Sequence, residues 1–248
     1  MARPAARSAA RRGARAEVVL GDVGVMAASN SRPEWLDRVV ATVEAEEPEA
    51  FSTFAPPEGA TKLSAVLMLF GPTGDGGEDV VLTARSRHLR AHPGQVSFPG
   101  GRVDPTDAGP IDAALREAEE EVGVVPASVE VVGAMPPLYL TPSANAVTPV
   151  LGWWPEPGEV RVVDPREVER VERVRVDELL DPGRRFTVTH PSGYRGPGFE
   201  AGGLFVWGFT ALLLNAVFDL AGLTQPWDDT LERPIPEHVL SEWMRNRA

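Results

Sequence analysis

Four glutamates lie within five residues near the middle of the sequence, at Glu117, Glu119, Glu120 and Glu121. Like charges one helical turn apart repel each other by roughly 0.2–0.5 kcal/mol per pair. Carboxylate oxygens are also the ligands that Mg²⁺ and Mn²⁺ prefer in proteins. A divalent cation would replace this repulsion with coordination, whereas the bland interpretation of such a string is the solvated face of a helix.

Helical periodicity separates the four carboxylates. At about 100° per residue, Glu117, Glu120 and Glu121 share an arc of about 100°, while Glu119 points away from them. Arg116 flanks this arc and is placed to orient Glu120. The apolar stripe that we expect to face the core lies beside the arc and consists of Ile111, Leu115, Ala118 and Val122.

A pair of glycines, Gly100 and Gly101, precedes this helix at the end of an apolar stretch. Glycine allows the backbone to approach a ligand or metal closely. A carbonyl group from this turn could therefore complete a metal shell. The alternative is an ordinary turn at the end of a strand.

Strands and helices interleave along the chain without strict alternation, which favours a mixed sheet covered by helices, an α/β (α+β) class of fold. We expect one domain over residues 30–225 and an irregular tail over 226–248. The predicted helices lie at 32–47, 111–122 and 177–182, with a long one from about Gly208. The predicted strands lie at 62–70, 79–85, 128–135, 146–155, 171–176, 185–190 and 202–207.

The composition excludes several kinds of chemistry. The 248 residues contain no cysteine, so disulfides, thiolate metal sites and cysteine nucleophiles are excluded. Residues 1–29 carry five arginines and two acidic residues, a charge of +3. Because the net charge of the chain is −12, the remaining residues carry −15. Such an acidic body argues against nucleic acid as a partner. A small anionic substrate would need local arginines or bound cations.

The expected location is the cytoplasm. Residues 1–29 lack an uninterrupted apolar region, so they are a poor secretory signal, and we expect a disordered Arg/Ala-rich extension, with a transit peptide as the alternative. The apolar stretch 204–223 contains Asn215 and Asp219 on one face, which favours a buried amphipathic helix over a membrane span. The sequence leaves a homodimer open.

Residues 116–124, "REAEEEVGV", resemble the second half of the Nudix box, which reads Arg-Glu-apolar-any-Glu-Glu-any-Gly-apolar. The first half of the box departs from the pattern, because the position that should be Glu is Asp107 and one extra residue separates it from Arg116. Upstream, "LTARSRHLRAHPGQVSFPGG" at 82–101 is similar to the signature of the coenzyme A pyrophosphatase branch of this family. The resemblance extends over roughly residues 60–222.

The resemblance implies a Nudix fold, an α/β/α sandwich around a mixed sheet with one Nudix helix. It also implies hydrolysis of the diphosphate of coenzyme A or its thioesters with Mg²⁺ or Mn²⁺. Another nucleoside diphosphate derivative such as ADP-ribose is the alternative substrate, and a non-catalytic nucleotide-binding module is the alternative function.

By the same resemblance, specific residues receive roles. The expected metal site consists of Glu117, Glu121, Glu120 and the Gly101 carbonyl, and the general base is Glu120 or Glu121, with a loop acid such as Glu200 as the second choice. The expected substrate-binding residues are Arg85, Arg90 and Gly100, since arginine suits bidentate phosphate contacts.

Overall fold

The computed structural model describes residues 30–45, 49–89, 92–141, 143–190, 193–237 and 239–240. Within these ranges the helices are α1 (Glu34–Ala45), α2 (Glu49–Ser52), α3 (Pro110–Val122), α4 (Val176–Leu180) and α5 (Gly208–Ala221). One sheet contains β1 (Leu63–Pro72), β2 (Glu78–Arg85), β3 (Val96–Ser97), β4 (Gly100–Arg102), β5 (Glu130–Ala134), β6 (Leu138–Leu140), β7 (Asn145–Trp153) and β8 (Val168–Arg175). A second sheet contains β9 (Arg185–Thr189), β10 (Arg195–Ala201), β11 (Leu204–Val206) and β12 (Glu232–Pro234).

The centre of the first sheet is the parallel pair of β1 and β7, which stay in register from Leu63 opposite Ala146 to Phe70 opposite Trp153. β2 and β4 pair with β1 antiparallel, and β3 and β8 pair with β2 in the same sense. β5 and β6 are antiparallel to β7. The sheet is therefore mixed, as predicted, and the continuous apolar run of β1 fits a strand buried on both faces.

Alternate residues of β1 enter two different cores, because successive side chains of a strand point to opposite faces. Met68 and Phe70 pack into a core that includes residues of α1 and α5. Leu67 and Leu69 pack into a second core that includes the alanines of α3. Helices thus cover both faces of the sheet, and the predicted α/β/α sandwich around a mixed sheet is confirmed.

The second sheet packs against α5 through β10. Its strand order is β11-β10-β9-β12, and β12 runs parallel to β9. β12 comes from the stretch that the sequence predicts to be an irregular tail. Immediately before it, the amide of Thr187 on β9 donates a hydrogen bond to the carbonyl oxygen of Leu231 at 2.9 Å.

The apolar stretch 204–223 divides into β11 and the 14-residue α5, which is close to the predicted helix. Leu213, Leu214, Val217 and Phe218 on α5 are buried. Gly222, in a left-handed conformation, caps the helix, and its amide donates to the carbonyl oxygens near the helix end. No helix in the described part of the chain is long and apolar enough to cross a membrane.

The main strand that the sequence fails to predict is β10. It contains Gly196, Pro197 and Gly198, which are residue types that are depleted in strands. Five residue pairs with β9 and three with β11 hold it in the sheet. The extension that we expect over residues 1–29 lies outside the described residues.

Candidate functional site

Helix α3 is the platform of the candidate site. Pro110 stands at its first turn, and Gly123 ends it in a left-handed conformation, with its amide donating to the carbonyl oxygens of Ala118 and Glu119. Its buried residues are Ala113, Ala114, Ala118, Glu121 and Val122. The expected core stripe is therefore partly wrong, since Ile111 is 39% exposed. The buried face is rotated toward Glu121, so this acid lies within the core-facing surface rather than beside it.

Glu121 is the most buried acid of the site, with an exposed fraction of 3%. Its Oε2 accepts a hydrogen bond from the Gly100 amide at 3.0 Å, and its Oε1 has no partner among the described residues. Burial raises the pKa of Glu121 to about 7, and the negative charges of Glu117 and Glu167 add to this effect. The Gly100 amide and the positive charge of Arg85 act in the opposite direction.

Glu117 and Glu167 bring two further carboxylates to Glu121. Each of the three offers an oxygen, and these oxygens all lie within 4.8 Å of one another. Burial raises the pKa of Glu117, and its ion pair with Arg116, at 3.1 Å, opposes that shift. We call Glu117, Glu121 and Glu167 the carboxylate trio.

Sequence reasoning missed Glu167, which stands directly before β8 and more than 40 residues after α3. The nearest signal in the sequence is the turn-forming "DPRE" at 164–167, because Asp followed by Pro favours a turn. The pairing of Glu167 with α3 depends on tertiary structure, and no local pattern encodes it.

Gly100 and Gly101 on β4 lie against the trio because β4 pairs with β1. A β-carbon at Gly101 would lie 2.5 Å from the carboxylate carbon of Glu117. A β-carbon at Gly100, whose φ is +154°, would lie 2.3 Å from the carbonyl oxygen of Ala65. The backbone of this glycine pair therefore lies too close to Glu117 and to β1 for a larger residue to fit without a shift. The predicted contact of the Gly101 carbonyl with a metal stays a prediction.

Arg116 organises the outer edge of the site. It donates to both carboxylate oxygens of Asp107 at 2.9 and 3.1 Å and to the carbonyl oxygen of Arg102 at 3.0 Å. It also pairs with Glu120 at 3.1 Å, as its position on the helix predicts. Asp107 stands where the Nudix box has Glu, and in the structure it holds Arg116, whose hydrogen bonds lower the pKa of the Asp107 carboxyl.

The remaining predicted residues divide into those near the trio and those apart from it. Arg85 ends β2, and its positive charge opposes the rise that burial causes in the pKa of Glu121. Glu120 has a side chain that is 59% exposed and does not belong to the trio. Glu200 lies on β10, where it pairs with Arg233 at 2.6 Å, and it is also outside the trio. Arg90 lies outside the described residues.

The trio has the chemistry of a divalent-cation site. Three carboxylates supply oxygen-only ligands of high negative charge, which suit hard cations. The Oε1 atom of Glu121 is a buried acceptor without a donor among the described residues, and such an atom normally has a partner. A cation bound to the trio would supply that partner and would offset the repulsion between the three acids.

Comparison with known proteins defines the class. The sequence model of the NUDIX domain matches residues 61–190, which is more than half of the chain. The chain therefore belongs to the NUDIX domain family. Together with its relatives, this match makes it a Nudix hydrolase, an enzyme that acts on diphosphate bonds.

Its similar relatives include uncharacterised Nudix hydrolases called NudL. The protein from Shigella flexneri is 42% identical over 152 residues, which cover 58% of this chain and 76% of the relative. The protein from Escherichia coli K12 is 45% identical over 143 residues, which cover 55% of this chain and 71% of the relative. Among solved structures, the Mycobacterium smegmatis Nudix hydrolase RenU is 18% identical with a TM-score of 0.48, and the match covers 66% of this chain and 88% of that one.

Proposed function

We propose that the protein hydrolyses the diphosphate of coenzyme A or acyl-coenzyme A in a reaction that depends on Mg²⁺ or Mn²⁺. The products would be 3′,5′-ADP and 4′-phosphopantetheine or its acylated form. The observation that carries the metal dependence is the carboxylate trio, with the unpartnered Oε1 of Glu121 at its buried end. The similarity of residues 82–101 to the coenzyme A signature supports the substrate.

In this proposal the trio holds the cation, and the Gly101 carbonyl assists. Hydrogen bonding from the Gly100 amide fixes one oxygen of Glu121 and leaves the other free to bind. Arg116 fixes the outer side of Glu117. Bound Mg²⁺ or Mn²⁺ would neutralise the diphosphate and help to activate a water molecule.

The reaction adds water across the phosphoanhydride. A P–O bond forms to the water oxygen, the bridging P–O bond breaks, and the bridging oxygen leaves with the second phosphate. Arg85, at the end of β2, is assigned to a substrate phosphate because it belongs to the coenzyme A signature and its guanidinium suits bidentate phosphate contacts. Gly100, on β4, is also assigned to substrate binding because it belongs to the same signature.

The general base remains Glu120 or Glu121 in this proposal. The two can be separated because only Glu121 belongs to the trio. If Glu120 is the base, Glu120→Gln lowers kcat while Mn²⁺ affinity is retained. If Glu120→Gln leaves kcat unchanged, the role passes to Glu121 or to the second choice, Glu200.

A turnover panel tests the proposal. Coenzyme A, an acyl-coenzyme A, ADP-ribose and NADH are incubated with the protein and Mg²⁺ or Mn²⁺, and the products are separated by chromatography. We expect 3′,5′-ADP from the first two substrates at a higher kcat/KM than from the others. Preferred cleavage of ADP-ribose would assign the runner-up substrate and contradict the coenzyme A proposal.

A further inference from the structure

The segment 160–168, which we call the strap, leads into β8 and is hydrogen-bonded to the C-terminal end of α3. The Arg161 amide donates to the carbonyl oxygen of Val122 at 3.2 Å, and the Val163 amide donates to that of Glu121 at 2.9 Å. The last carbonyl groups of a helix lack partners within the helix. The strap therefore satisfies two of them, and one belongs to an acid of the trio.

A tight turn at Asp164 follows directly in the strap. The carbonyl oxygen of Asp164 accepts hydrogen bonds from the amides of Glu167 at 3.1 Å and Val168 at 2.9 Å. Its side-chain Oδ1 accepts from the Arg166 amide at 2.9 Å. Pro165 restricts the same turn, since its ring fixes φ. Asp164 thus determines the path of the backbone that leads to Glu167.

The far end of the turn is also fixed. The carbonyl oxygen of Glu167 accepts a hydrogen bond from the Ser86 amide at 2.8 Å, just after β2. Val168 then pairs with Arg85 at the start of β8. Glu167 is consequently held through its amide and its carbonyl, while its exposed side chain extends to Glu117 and Glu121.

We propose that Asp164 is a positioning residue that acts through Glu167 to set the geometry of the carboxylate trio. The turn at Asp164 fixes Glu167 within the strap, and the strap is hydrogen-bonded to the Glu121 end of α3. The inference rests on the proposed metal site, because it concerns the placement of one of the three carboxylates.

The rival explanation is that Asp164 serves only the exposed ion pair with Arg166. The Arg166 guanidinium donates to both oxygens of Asp164, at 2.9 and 2.6 Å, and its side chain is 87% exposed. Exposed ion pairs contribute little to stability. Arg166→Ala removes this pair but keeps the Arg166 amide, which makes it a matched control.

The test measures Mn²⁺ affinity by electron paramagnetic resonance in the full chain, with urea unfolding as the check on folding. Asp164→Ala should weaken Mn²⁺ binding by about tenfold, the range of residues that orient metal ligands. Asp164→Asn should stay within about twofold of the wild type, since Oδ1 can still accept from the Arg166 amide. Arg166→Ala should also stay near the wild type.

A double-mutant cycle with Glu167→Gln decides whether Asp164 acts through Glu167. If it does, Asp164→Ala should weaken Mn²⁺ binding much less in the Glu167→Gln variant than in the wild type. Equal costs in the two backgrounds, or equal losses from Asp164→Ala and Arg166→Ala, would overturn the inference. A wild-type protein that binds no Mn²⁺ would instead refute the proposed metal site.

Discussion

The two glycines of the site perform different tasks although they are adjacent. At Gly100 an added β-carbon would meet backbone atoms of Ala65 and Val66, and the positive φ disfavours any other residue type. At Gly101 it would meet the flexible end of Glu117. One glycine is therefore needed for the fold and the other for the placement of a carboxylate.

This difference predicts opposite outcomes for two alanine substitutions. Gly100→Ala should lower the free energy of unfolding by at least about 2 kcal/mol, because it combines strained backbone with a backbone collision. Gly101→Ala should leave the urea midpoint nearly unchanged but weaken Mn²⁺ binding, since Glu117 must move away. Urea unfolding measures the stability of both variants, and Mn²⁺ titration measures their metal affinity. Equal stability losses would contradict the distinction.

Arg85 is the described arginine that we assign to substrate phosphate. We expect the wild type to prefer coenzyme A over its 3′-dephospho form, because two arginines of the signature stand in an otherwise acidic protein. Arg85→Ala and Arg90→Ala should be compared on both substrates. If neither changes kcat/KM by more than about threefold, roughly 0.65 kcal/mol, neither arginine is a phosphate anchor.

At the scale of elements, α3 shows what local sequence can predict. The 3.6-residue period predicts a helix over 111–122, one residue shorter than the observed α3, and it correctly predicts that Glu119 is exposed. It does not predict that Glu121 is buried, because burial depends on how the helix is rotated against β1 and β4. Nor can it predict Glu167, which reaches α3 only through hydrogen bonds between segments that are distant in sequence.

A buried acid in α3 should make the metal-free fold sensitive to pH. The folded-state pKa of Glu121 is raised from 4.5 to about 7, so its contribution to stability is present below about pH 4.5 and is lost as the pH rises to about 7. In EDTA, the thermal midpoint should therefore fall over this range.

The matched variant is Glu121→Gln, which keeps the shape of the side chain and removes the titration. Its midpoint in EDTA should fall less between pH 4.5 and 7 and should equal or exceed that of the wild type at pH 8. Thermal unfolding by circular dichroism at several pH values measures both proteins. Parallel pH curves for the two would show that Glu121 does not titrate as described.

At the scale of the whole molecule, the fold class could be predicted from the interleaving of strands and helices. The second sheet could be predicted only in part. The sequence signals β9 and β11, but β10 depends on its pairing with these neighbours and β12 on its pairing with β9. Residues with weak strand preference adopt the conformation that their tertiary partners impose.

The charge distribution of the chain leads to a prediction about residues 1–29. They carry +3 beside a body of −15, and they lack apolar periodicity until about Val18. A chain that begins at Ser29 should keep nearly the same melting temperature and turnover. Steady-state kinetics at low and high ionic strength test this. A salt-sensitive shift in KM on truncation would mean that the arginines act at the acidic site.

The central claim is that the carboxylate trio binds the catalytic divalent cation, and one comparison tests it most directly. Mn²⁺ affinity and kcat at saturating Mg²⁺ are measured for Glu117→Gln, Glu121→Gln and the control Glu119→Gln, which changes an exposed acid of the same helix. We expect the first two variants to bind Mn²⁺ weakly and to lose at least about a hundredfold in kcat, about 2.7 kcal/mol. The control should match the wild type. Full turnover by both Glu117→Gln and Glu121→Gln would contradict the account.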